Sequence, residues 1–122
     1  MLRNPYAEHT DFSDLYGIIE SNPKVLPSNL DMIYERNGHF LVGEWKNPDE
    51  SFGGGQDIML KAMAKNPKFT VIKVCGYSAN AKLTVYDIHY LNENGTWLMA
   101  GQGLERLKQF IRNWYAKVDN VS

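Results

Sequence analysis

"LDMIYERNGHFLVGEWK", residues 30–46, reads as two short strands joined by a two-residue turn. Asn37-Gly38 is a strong hairpin signal, because both central positions of the favoured tight turn need positive φ. With these two residues as the loop, Arg36 faces His39, Glu35 faces Phe40, and Asp31 falls directly opposite Glu44. Directly opposed residues project from one face of the sheet, with Cβ atoms about 4.5–5.5 Å apart. Strand alternation puts Lys46 on that face as well. Two carboxylates opposed across strands repel, so a hairpin with only a structural duty avoids the pairing. Glu-x-Lys alone is a common tripeptide, and a solvated, salt-bridged strand end accounts for it. The register is what sets this one apart, and a one-residue slip would send Asp31 to the other face.

A hard divalent cation such as Mg²⁺ removes the repulsion, since it takes oxygen ligands, commonly one or two carboxylates, and retains waters. A lysine beside such a pair orients a water and stabilises charge developing on a phosphate. The set suits phosphodiester hydrolysis and lacks the His-rich ligation of zinc hydrolases.

Outward from the hairpin, "DFSDLYGIIES" spaces Phe12, Leu15, Ile18 and Ile19 as one face of a helix that Asn22-Pro23 ends. "QDIMLKAMAKNP" predicts a second helix with Met59, Leu60 and Met63 on its apolar side. "KFTVIKVCGYS" is an apolar strand of the kind covered on both faces. "AKLTVYDIHYLNENGTWLMAG" is a further hairpin turning near Asn94-Gly95, and "LERLKQFIRNWYAKV" is an amphipathic helix. The expected order is α-β-β-α-β-β-β-α, an α/β mixed sheet with flanking helices.

The 122 residues suffice for one domain with a single core, and a formal charge of −1 excludes a uniformly basic nucleic-acid coat. That balance leaves room for a DNA enzyme with a local basic face or a bound metal. Cys75 is the only cysteine, which excludes a disulfide framework and a Cys-based zinc site; its apolar run makes it a small buried hydrophobe. No apolar run approaches the roughly 20 residues that span a bilayer, and the first residues lack a signal peptide's apolar core, so a cytoplasmic protein is expected. Gly53-Gly54-Gly55 lacks the Gly-Lys-Ser/Thr of a nucleotide loop, so no nucleotide cofactor is expected; a mobile loop next to the active site is the better reading, with ordering over DNA as a hypothesis. Asp87 and His89 share a strand face and read as solvated surface, while Tyr86, Tyr90 and Trp97 read as core.

Asp31 on one strand and Glu44-Trp45-Lys46 on the next resemble the PD-(D/E)xK nuclease superfamily, with a match over roughly residues 11–76. The segment 82–117 then looks like an added C-terminal element of the same domain. Pro27 stands apart from Asp31 rather than close before it, a departure at a variable position. The closest branches by resemblance are the virus-type replication-repair nucleases and small phage resolving endonucleases. The resemblance implies a Mg²⁺-dependent endonuclease, with Mn²⁺ as a substitute, acting on DNA and selective for structure such as branches or junctions. It assigns Asp31 and Glu44 as metal ligands, the Trp45 carbonyl as a further ligand, and Lys46 as the group that positions the attacking water. Gln56, opening the helix after the tripeptide, matches a glutamine of several branches; Glu20 is the best candidate for an acid on the first helix, with Asp11 and Asp14 as rivals. Gly54, Gly55, Lys61, Arg106 and Arg112 are candidates for phosphate contacts, and a homodimer fits two symmetric cuts. The competing reading is a non-catalytic or partner-dependent DNA-binding module that keeps the nuclease fold.

Overall fold

The computed structural model describes residues 13–24, 31–47 and 55–120, with side chains from residue 57 onward in the last stretch. Five strands form one mixed sheet in chain order: β1 (Met32–Arg36), β2 (His39–Lys46), β3 (Phe69–Ala79), β4 (Lys82–Leu91) and β5 (Trp97–Gln102). Helix α1 (Gly55–Ala64) lies between β2 and β3 in the chain, and α2 (Leu104–Asp119) follows β5. Only β2 and β3 pair in parallel, as the intervening helix allows; the other neighbours are antiparallel hairpins.

Asn37 and Gly38 adopt φ of 53° and 78°, and the hairpin they close pairs Arg36 with His39 and Met32 with Gly43. Asp31 is therefore one step beyond the last β1 pair, on the register line that meets Glu44.

The two helices cover opposite faces. Leu60 and the flanking Met59 and Met63 of α1 pack on Val42, Val71 and Leu91. Leu107, Trp114 and Val118 of α2 pack on Leu41, Ile72, Val74, Val85 and Ile88. Coverage on both sides explains why β2 and β3 carry consecutive apolar residues such as Leu41-Val42 and Val71-Ile72, all with no exposed surface. Each such side chain contributes roughly 1.5–3 kcal/mol by leaving water.

Three expectations are corrected. Residues 13–24 hold a single 3₁₀ turn, Ser13–Leu15, not an α-helix, and all of them are exposed. Gly17 sits at φ 78°, a left-handed conformation that breaks helical propagation. Tyr86 is 45 % exposed, so it is not core; Tyr90 and Trp97 do pack against the two cores. Cys75 is half-buried rather than buried.

The sheet also has an arm. β2 makes its last pair between Lys46 and Cys75, whereas β3 runs on to Ala79 and pairs there only with β4. A bulge at Cys75/Gly76 marks where the arm begins, and Asn80-Ala81 closes it with both residues at positive φ. Gly76 is required there, because a Cβ would collide with the Thr84 carbonyl oxygen.

Candidate active site

Asp31 is exposed, and its Oδ2 accepts the Trp45 N–H at 3.0 Å. The carboxylate thus caps β2 where β1 stops pairing. Glu44 is buried at 5 % exposure, and its Oε2 accepts no hydrogen bond although the residue is engaged elsewhere. Lys46 follows on the same face of β2, half-buried at the strand's end.

Beyond the end of β2 the sheet leaves a slot between Asp31 and the arm. This open cleft holds about 380 Å³ and is lined by Asp31, Trp45, Lys46 and Asn47 on one side and Gly76, Tyr77, Ser78 and Leu83 on the other. Asp31 and Lys46 are brought together here, whereas Glu44 lies behind the lining. Among the described residues no three His, Cys, Asp or Glu side chains gather as a metal cage.

The remaining candidates scatter. Glu20 is exposed in a turn and does not line the cleft, so the helix expected to aim it at a metal is absent. Asp14 lies in the 3₁₀ turn, likewise exposed. Gly54, Asp11 and the side chain of Gln56 fall outside the described residues; Gly55 opens α1. Lys61 is paired with Asp57 at 3.1 Å, and Arg106 donates from Nε to the Ala100 carbonyl at 2.9 Å. Arg106 and Arg112 belong to α2 and Lys61 to α1, on opposite faces of the sheet, so these cations form no single stripe. Asp87 accepts from Gln102 Nε2 at 3.0 Å, half-buried rather than fully solvated. Burial, and then the Asp87 charge, push the Cys75 thiol up, which disfavours the reactive thiolate.

Sequence reading missed the group behind Glu44. Lys73, its parallel register partner on β3, is 3 % exposed. Lys73 Nζ donates to Asp57 Oδ1 at 3.1 Å and stands 4.3 Å from the centre of the Trp97 ring. Asp57 Oδ1 also accepts the Trp97 indole N–H at 3.2 Å. Burial alone would raise the Asp57 carboxyl, but hydrogen bonds from Lys73, Lys61 and Trp97 and the Lys73 charge outweigh it, holding the group below its ordinary range. Its place in the first turn of α1 favours the same ionised form. The signal was available: a lysine inside "FTVIKVCGY" must either leave the core or find a carboxylate.

The charged set at this end of β2 thus runs from exposed Asp31 through Lys46 to the buried Glu44 and Lys73 and the half-buried Asp57. No helix among the described residues is long and apolar enough to cross a membrane. Compared with known proteins, the chain matches no family model, no curated protein and no solved structure.

Proposed function

We propose that this chain is a Mg²⁺-dependent nuclease hydrolysing DNA phosphodiester bonds, with Mn²⁺ able to replace Mg²⁺. The observation that supports it most is the hairpin register, which sets Asp31 one step beyond the Met32–Gly43 pair at the end of β2, on the line of Glu44, with Lys46 beside an open cleft. A pair of carboxylates suits a hard cation that completes its shell with water and substrate oxygens. When bound, Mg²⁺ would supply Lewis-acid polarisation of the phosphate and a more acidic attacking water.

The chain's own residues have separable duties in this reading. Glu44, beside Lys73 in the β2–β3 register and 5 % exposed, would supply its carboxylate at low local dielectric. Asp31 contributes the exposed carboxylate, aligned by its bond to the Trp45 N–H. Lys46 lies at the cleft, where its ammonium orients water and stabilises negative charge growing on the phosphorus oxygens. The Trp45 carbonyl as an added ligand and Gln56 as a water-holding group belong to the proposal by resemblance. So do selectivity for branched DNA, a phage or mobile-element role, and a homodimer making paired cuts. Glu20 is left out of the ligand set.

The test is cleavage of linear duplex, supercoiled plasmid, single strand, flap and four-way junction in Mg²⁺, Mn²⁺ or EDTA, beside Lys46→Ala. Metal-dependent cutting that disappears in the variant is expected. A rise in Tm with Mg²⁺, lost in Asp31→Asn, should accompany it, because a ligand bound only by the native state stabilises that state. Cutting that persists unchanged in Asp31→Asn would overturn the assignment. Nucleic-acid binding without cutting of any substrate would favour the non-catalytic module instead.

A further inference from the structure

Tyr77 and Tyr86 stand 42 % and 45 % exposed on the arm that walls the cleft. Neither helix covers them, and their ring centroids lie 6.1 Å apart at a 44° tilt. The bulge is what brings them together. The β3–β4 register shifts between Cys75 and Gly76, pairing them with Asp87 and Val85 and leaving Tyr86 as the extra residue. An extra residue re-aims its side chain, which puts Tyr86 beside Tyr77 instead of on the opposite face. Together with Leu83, 44 % exposed, the two rings form an apolar patch on the arm.

Charge narrows what could cover them. Between Gly76 and Tyr86 the arm holds one charged side chain, Lys82, and Lys46 lines the facing cleft wall, while Asp87, next to Tyr86, accepts from Gln102 Nε2. A polyanion approaching Tyr77 from the cleft side meets Lys46 and Lys82 as well as Asp31, and aromatic faces offer a base-stacking surface indifferent to sequence. Tyr77 itself lines the cleft, so a strand with its phosphate near Lys46 and Asp31 would carry its adjoining base toward the rings.

We infer that the Tyr77/Tyr86 pair is a stacking platform for unpaired nucleobases, selecting nucleic acid that is single-stranded or splayed beside the cleft. The identity of the ligand rests on the nuclease reading; the platform's geometry does not. In a closed duplex the faces of the bases are occupied by their neighbours, so the platform discriminates by strand opening and not by base sequence.

The experiment measures oligonucleotide binding in EDTA, where cutting cannot interfere, using 2-aminopurine at the unpaired position as a reporter of stacking. Single-stranded DNA, splayed duplex DNA, fully paired duplex and splayed RNA are compared. The wild type should quench the reporter in both splayed DNA and single strands. Quenching in RNA too supports a platform blind to the sugar, while quenching in DNA alone supports one with a sugar preference. The doubly substituted Tyr77→Leu/Tyr86→Leu should lose quenching and bind splayed DNA about tenfold more weakly, with paired-duplex affinity held within about twofold. Tyr77→Phe/Tyr86→Phe keeps both rings and should behave as wild type; matching Tm values confirm that each variant folds. Unquenched reporter in the wild type, equal loss on paired duplex, or a Phe variant as weak as the Leu variant would overturn the platform. Cutting without quenching would sink the platform alone, and quenching without cutting in Mg²⁺ would sink the nuclease alone.

Discussion

At its turn, the first hairpin is fastened to the end of α2. Asn37 Nδ2 donates to the Val118 carbonyl at 3.1 Å, Arg36 pairs with Asp119 at 2.7 Å, and Gly38 N–H is held by Glu35 at 2.8 Å. At the other end of the same strands, Asp31 binds Trp45 N–H and borders a cleft together with Lys46. One end spends its polar groups on neighbouring backbone and on a single ion pair. The other keeps charged groups at an open slot, with the Lys73–Asp57 pair one strand away. Stability and chemistry are thus separated along one hairpin, and substitutions at the two ends should report on different quantities.

The widest separation is expected from Lys46→Ala and Asp31→Asn. Each should lower the cleavage rate by about 10²–10³, the usual consequence of removing one preorganised charge-stabilising group. Asn retains an oxygen to accept the Trp45 N–H, so the Asp31→Asn melting temperature should stay near wild type. A large drop in Tm with either change would mean that this end is structural after all.

On the strand beside Glu44, Lys73→Met should cost about 3 kcal/mol in denaturant unfolding, because it removes the buried cation that pairs with Asp57. Lys61→Met touches the same Asp57 from a side chain 44 % exposed and should cost well under ~1 kcal/mol. Equal effects would show that burial does not govern this network. At the turn, Gly38→Ala forces a side chain into φ 78° and should cost about 1–2 kcal/mol with cleavage unchanged. Loss of activity there would break the division between the two ends.

The sequence was most legible where local rules decide the outcome. Asn37-Gly38 specifies its own φ values, and those set which residue opposes which, so the β1–β2 register from Arg36–His39 to Met32–Gly43 could be read directly. The faces of α1 and α2 follow from periodicity and from having a sheet to pack on. The segment around Leu15 and Ile18 has the same periodicity, yet it is exposed and Gly17 takes a left-handed conformation. Apolar spacing proposes a helix; packing decides whether one forms. The arm was hidden for a similar reason. That β3 outruns β2 is a property of two strands compared in space, and the bulge that turns Tyr86 outward leaves no strong local signature beyond Gly76. Lys73 was legible and passed over, its apolar neighbours masking the one residue that could not be buried alone.

The smallest effect sharpens the contrast through pH. Asp57 is held below its ordinary value of 3.8, so the folded state binds the proton less readily than the unfolded chain does. Its contribution is fully present above that value and is lost as pH falls through the lowered folded-state value. Wild-type stability should therefore decline on acidification below the ordinary carboxylate range. Asp57→Asn, which keeps a side-chain oxygen for Lys73 and Trp97 but cannot titrate, should show a shallower decline over that window. If Asp57→Asn keeps the full wild-type decline, the network has no special electrostatic role. Its lysine would then be there for packing against Trp97 rather than for holding charge behind the cleft.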